Sequence, residues 1–247
     1  MSYTSFASVY DALTKNVDYK KRAEYIMGIL SEYNIKDGLL LDLACGTGSL
    51  SVEFSKAGFE VIGTDASADM LTKAQTKAYE NEQNILFLCQ NMEETDLYGT
   101  VRAIVCSLDS INHLKDIEAV NKTFSKLKNF IDDGGIMVFD VNTPYKHQKV
   151  LGNNTFVYDE KSVYCVWQNN LSADNVTVNI NLDFFVKSND TYQRFTENFS
   201  ERAYSFDELK NVFEPNGFKL VSCYEELTRN EPTSTTERVY YVLRREY

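Results

Sequence analysis

The residues with the clearest capacity for chemistry lie in LDLACGTGSL (41–50) and at Asp65. Gly46 and Gly48 follow an apolar run and precede a helical pattern, where a missing Cβ lets a ligand approach the backbone closely. Asp65 ends the next apolar run, seventeen residues after Gly48. A carboxylate at that place can accept both hydroxyls of a ribose. Ser51 stands where a dinucleotide fingerprint would put its third glycine, and no G-x-x-x-x-G-K-[ST] exists. Asp42, four residues before Gly46, would repel a phosphate and favour a cation. The pattern suits a sugar-bearing ligand with a positive charge better than a pyrophosphate.

The elements that must position these residues follow from periodicity. Residues 19–33 carry Ala23, Ile26, Ile29 and Leu30 at helical spacing. Apolar runs at 38–44, 59–65, 84–90, 101–107 and 136–141 read as buried strands. Between them, helices are predicted over 49–56, ending at Gly58, from a Ser67 cap to about Glu82, and over 116–131, with Gly134-Gly135 turning the chain into the fifth strand. From 155 to 203 the helical period vanishes, and Val176 to Val186 mostly alternate with polar residues, predicting three or four antiparallel strands. A capping box at Ser205 and Glu208 opens a last helix, followed by strands at 218–226 and 237–246. The expected fold is α/β: a doubly wound, mostly parallel seven-stranded sheet with a small antiparallel β insertion. Residues 1–141 and 205–247 would form the main domain and 142–204 the insertion. A barrel of eight βα units would need more strands than the chain supplies.

Composition narrows the function. The 247 residues carry 25 Lys and Arg against 36 Asp and Glu, a net charge of −11. No basic stripe of the kind that neutralises phosphates is present, which disfavours nucleic-acid partners. No apolar run is long enough to span a membrane and the first residues lack a secretory pattern, so cytoplasm is the expected location. Two histidines and five scattered cysteines without a C-x-x-C make a zinc site improbable, and no metal is expected. Cys89, Cys106, Cys165 and Cys223 fall in strand-like runs and read as buried thiols.

D-L-A-C-G-T-G followed by V-I-G-T-D-A-S resembles the class I S-adenosylmethionine-dependent methyltransferases. FASVYDALTKNVDY (6–19), SLDSINHL (107–114) and FDVNTPYK (139–146) are similar to a branch of small bacterial members with a β insertion after the fifth strand. The resemblance implies a Rossmann-like fold and S-adenosyl-L-methionine as cofactor. It places Ala44, Gly46 and Gly48 at the methionine moiety with Asp42 nearby, and Asp65 at the ribose. Ala66 and Met70 would flank the adenine, with Asn91 and Met92 beside it and Leu108 bordering the site. Asn91 lacks the charge that the family usually has there. Tyr10 and Tyr19 match aromatic positions that line the cofactor. Arg22 reads either as an exposed charge on the first helix or as a partner of the methionine carboxylate.

A sulfonium methyl group is already electrophilic, so the enzyme's main task is in-line alignment of a nucleophile, with a base needed only for a protonated acceptor. Asp109, Asn112 and His113 after the fourth strand, and Tyr145 and His147 after the fifth, fall near that centre; Asp109, His113 and Tyr145 are the catalytic candidates. N-T-P-Y (142–145) resembles the motif of amino-directed DNA methyltransferases, but it follows the wrong strand and Thr143 replaces a proline. The insertion, with Trp167, Tyr158, Tyr164, Phe184 and Phe185, is expected to cap a small-molecule acceptor with aromatic walls. Alternatives are a non-catalytic cofactor-binding module and an enzyme acting on RNA or protein.

Overall fold

The structure, a computed structural model, describes residues 4–246. Two helices, α1 (Thr4–Leu13) and α2 (Tyr19–Glu32), precede β1 (Gly38–Leu43), α3 (Ser49–Lys56), β2 (Phe59–Asp65), α4 (Ala68–Glu80) and β3 (Leu86–Cys89). The chain continues through β4 (Val101–Cys106), α5 (Ile117–Leu127), β5 (Ile131–Asn142) and a single turn, α6 (Pro144–Lys146). Next come β6 (Thr155–Glu160), β7 (Val163–Leu171), β8 (Thr177–Ser188) and β9 (Thr191–Arg202), then α7 (Phe206–Phe213), β10 (Phe218–Glu225) and β11 (Arg238–Arg245).

Seven strands form one sheet in the order β10-β11-β5-β4-β1-β2-β3, with β11 running antiparallel to both its neighbours. The chain leaves β1 toward β2 and β3, then returns to place β4 and β5 on the other side. This reversal opens a crevice at the carboxyl ends of β1 and β4. Residues 40–43 are all buried because β1 is central and both its faces are covered. Leu41 and Leu43 join the core under α5 and α7, and Leu40 joins the opposite core under α2 and α3.

The remaining four strands form a separate antiparallel sheet, β6-β7-β8-β9. Its apolar face, with Val163, Cys165, Val178, Ile180, Leu182 and Phe184, packs on Val9 of α1 and on Leu151. Helix α1 also touches α4, so it bridges the two sheets. Periodicity did not mark this helix.

Local signals are realised as hydrogen bonds. Ser67 accepts from Met70 N, and Ser205 with Glu208 closes both halves of a capping box. Three expectations need correction. Helix α5 stops at Leu127, and β5 already begins at Ile131, where it pairs with Val101. Gly134 and Gly135 therefore sit inside the irregular start of that strand. Cys89 is exposed because β3 is an edge strand, and Cys223 is only half-buried. No helix among the described residues is long and apolar enough to cross a membrane.

Candidate functional site

At the β1/β4 reversal lies a cleft of about 330 Å³. Ala44, Cys45, Gly46 and Thr47 supply its wall after β1, Asp65 to Ser67 its wall after β2, and Gln90 to Glu93 its wall after β3. Ser107, Leu108, Ser110, His113 and Leu114 close the far end after β4, and Tyr10 and Tyr19 lie over it. Asp42 and Met70 also line it.

The two glycines have different roles. Gly46 has φ +55°, and a Cβ there would meet nothing within 4 Å, so its side faces open space. Gly48, at φ +73°, is the residue before α3, and a Cβ there would come within 2.8 Å of Ala74 Cβ. Gly48 thus seats α3 against α4 and does not line the cleft. Ala44 adopts φ +58° without being a glycine, a strained conformation at the cleft floor.

Asp65 is oriented by the backbone. Its Oδ2 accepts from Gly46 N at 2.9 Å and its Oδ1 from Ser67 N at 2.8 Å. Each oxygen keeps a further lone pair for a ligand hydroxyl. Burial raises its pKa, and those two backbone donors oppose the rise. Asp42 is more enclosed: burial, with the Asp65 charge, lifts it to about 7 against the bonds from Ser51. Ser51 Oγ donates to Asp42 Oδ2 at 2.5 Å, so the residue that broke the dinucleotide fingerprint anchors this carboxyl. Burial pushes the Cys45 thiol well up, which leaves it unsuited to act as a thiolate.

A clasp missed in the sequence holds α1 over the glycine loop. Thr47 Oγ1 donates to Asp11 at 2.7 Å, while Lys77 Nζ reaches Asp11 at 2.8 Å, Thr47 at 3.0 Å and Ser49 at 2.6 Å. This keeps Tyr10 in the cleft wall, where burial raises its phenol pKa. Asn91 and Met92 line the cleft after β3, with Asn91 Nδ2 on Glu94 at 3.1 Å and Glu93 also in the wall.

The far end is built around Asp140, fully buried on β5. Its carboxylate accepts from Ser107 Oγ at 2.6 Å, Leu108 N at 2.8 Å and Asp109 N at 3.0 Å, and pairs with Arg238. It thereby stabilises Leu108 and Asp109, both at positive φ. Asp140 carried a legible signal, the one acid in the apolar run 136–141.

Several candidates are corrected by this network. Asp109 donates no open carboxylate to the cleft: Arg238 holds one oxygen at 2.7 Å and Asn142 the other at 2.8 Å. Burial would raise its pKa, but Arg238, Lys146 and His113 together hold it down at about 2, too acidic for a base at neutral pH. Arg22 is buried, neither exposed nor in the cleft, with its guanidinium on Glu226 at 2.6 Å and on Tyr240. Tyr145, on α6, does not line the cleft. His147 is fully enclosed with Nδ1 on Val176 O at 2.7 Å. His113 does line the cleft, with Nε2 3.7 Å from Oε1 of Glu201 on β9.

A second, more open hollow of about 870 Å³ shares His113 and Leu114 with the cleft. Thr155, Gln168, Asn181 and Asn198, aligned across the four strands, line it. The aromatics expected to form the wall, Trp167, Tyr158, Tyr164, Phe184 and Phe185, line neither cavity, and Phe199 of β9 lines the hollow instead: Phe184 is buried in the small sheet, and Tyr158 and Phe156 pack on Trp167. Side-chain amides line the hollow because period-two alternation turned the aromatic row of β8 the other way or further along the strand.

Comparison with known proteins agrees with this geometry. A methyltransferase domain model matches residues 40–135. The chain is 35% identical over 242 residues to "Putative methyltransferase YqeM" of Bacillus subtilis, covering 98% of this chain and 96% of that one. A crystal structure of an S-adenosylmethionine-dependent methyltransferase from Clostridium acetobutylicum superposes with a TM-score of 0.90 at 31% identity, covering 99% of both chains. Over 41% of the chain and 38% of its own length, a glycine/sarcosine N-methyltransferase of Halorhodospira halochloris is 31% identical.

Proposed function

The chain belongs to the class I S-adenosylmethionine-dependent methyltransferases, and on that premise we propose that it methylates a small-molecule acceptor by in-line displacement. The observation that carries this reading is the cleft itself, with the Asp65 carboxylate aimed by Gly46 N and Ser67 N at one end and His113 beside a second hollow at the other. The residues fit S-adenosylmethionine: Asp65 retains lone pairs for ribose hydroxyls, open space faces Gly46, and Asp42 offers a carboxyl to a cationic ligand. When bound, the cofactor supplies an activated methyl group. The protein supplies alignment, and holding the two reactants in place accounts for roughly 7–11 kcal/mol of a barrier.

Asp65, Ala66 and Met70 would hold the nucleoside, and the backbone at 44–46 the amino-acid end. The acceptor would enter from the hollow on the small sheet, so that residues 142–204 act as a cap. The Halorhodospira relative, named for glycine and sarcosine, supports a small acceptor. The test is calorimetry with S-adenosylmethionine, its demethylated product and NAD, followed by transfer of labelled methyl in a whole-cell extract that is then separated into small molecules, RNA and protein. Binding of the first two alone, with label in a small molecule, is expected. Label found instead in RNA or protein, or equal binding of NAD, refutes the reading.

A further inference from the structure

We propose that Glu201 is a positioning residue for His113 and that the pair takes up the proton released when the acceptor is methylated. This rests on the reading that the cleft holds the methyl donor. His113 is the imidazole that lines the cleft, whereas His147 is enclosed and fixed on a backbone carbonyl. Asp109, the other acidic group beside it, is tied to Arg238 and Asn142.

Glu201 is 5% exposed. Among the described residues its carboxylate accepts no hydrogen bond, and His113 is the only basic side chain within 4.0 Å of it. Glu201 lines the second hollow, and a nearly buried carboxylate held 3.7 Å from a cleft imidazole pairs an acid with a cleft group able to carry a proton. Phe199, two residues earlier and so on the same face of β9, lies 5.4 Å from the imidazole centre at 32° and limits its tilt.

Spacing within the pair is set by the fold. Asn112, beside His113, is fully buried; its Nδ2 donates to Arg202 O at 2.9 Å and Asn142 O at 3.1 Å, and its Oδ1 accepts from Asn142 N at 2.9 Å. One amide therefore locks the His113 turn to both β5 and β9. Burial, with the Asp109 charge, lifts Glu201 to about 7, against the opposing pull of His113, Arg238 and Lys146. Asp65 and Asp109 also act on His113, and Lys115 beside it pairs with Asp116 at 3.6 Å.

With Nε2–H turned to Glu201, Nδ1 presents its lone pair. The acceptor's lone pair forms the bond to the methyl carbon, the carbon–sulfur bond breaks with its electrons left on sulfur, and the acceptor's proton passes to Nδ1. The Glu201 carboxylate balances the resulting imidazolium, whose partly exposed ring returns the proton to water.

Two histidines make the test direct. With 13C-labelled histidine, NMR titration follows both rings, and His113→Gln assigns them. Glu201→Gln should move the His113 titration to lower pH by about half a unit or more and leave His147 in place. Glu201→Asp, which retains charge, should give an intermediate shift, and it replaces the Gln variant should that fail to fold. With extract as acceptor, His113→Gln and Glu201→Gln should each slow transfer about a hundredfold at saturating donor, with product affinity within about twofold of wild type. Glu201→Gln should also move the acidic limb of the rate profile down. An unmoved His113 titration, or wild-type transfer by His113→Gln, overturns the pair. Failure of the wild-type protein to bind the demethylated product would instead sink the proposed function, while the titration still judges the pair.

Discussion

Replacing Asp65 by Ala separates ligand binding from folding. Both carboxylate oxygens already accept one backbone N–H, from Gly46 at 2.9 Å and Ser67 at 2.8 Å, and so point their remaining lone pairs the same way in every molecule. A hydrogen bond to a charged acceptor contributes about 1.5–3 kcal/mol. If Asp65 holds the ribose as proposed, the variant loses those contacts and loosens the loop, so a net cost of about 1.5–3 kcal/mol, or roughly a 10- to 150-fold rise in Kd, is expected for the demethylated product. Stability should change far less. Asp65 is destabilised by burial in its ionised form, and that penalty disappears together with its two backbone bonds. Calorimetry and thermal melting on the same sample provide the measurement. A Kd within twofold of wild type at an unchanged melting temperature would mean that the ribose does not sit at Asp65. A collapse of the melt would mean that the carboxylate is structural.

Asp42, raised to about 7 by burial first, should make ligand-free stability greatest below the unfolded carboxyl value and lower as pH rises from about 4 through about 7, with no further loss above. A cationic donor favours the ionised form, so its binding should strengthen from about pH 6 to 8 with release of a proton, visible by calorimetry in buffers of different ionisation enthalpy and absent in Asp42→Asn. Arg238→Met leaves Asp109 and Asp140 buried without their cation and should cost about 3–5 kcal/mol in denaturant unfolding, partly recovered by adding Asp109→Asn. Gly48→Ala should lower the melting temperature through its clash with Ala74, whereas Gly46→Ala should weaken donor binding more than it lowers the melt. Equal effects of the two substitutions on the melt would contradict the different roles assigned to these glycines.

The parallel sheet was legible because each strand is a short apolar run bounded by glycine or a cap, and those signals are local. The same holds for Ser67, Gly58 and the Ser205–Glu208 box. Gly46 and Asp65 could be placed together because a strand–loop–helix–strand unit fixes their separation. Helix α1 escaped, since its burial depends on a sheet some 150 residues further on. The role of Arg22 escaped for the same reason: its partners, Glu226 and Tyr240, lie over 200 residues away.

What the chain's order of residues determined by itself was the alternation of strand and helix, the glycine loop and the acid that faces it, because short-range geometry and period decide these. Tertiary structure alone decided which charges remain free. It neutralised Asp109 with Arg238, turned Ser51 into an anchor for Asp42 and brought Glu201 to His113. Pairing and desolvation depend on what the fold brings within a few ångströms, and no spacing along one strand records that distance.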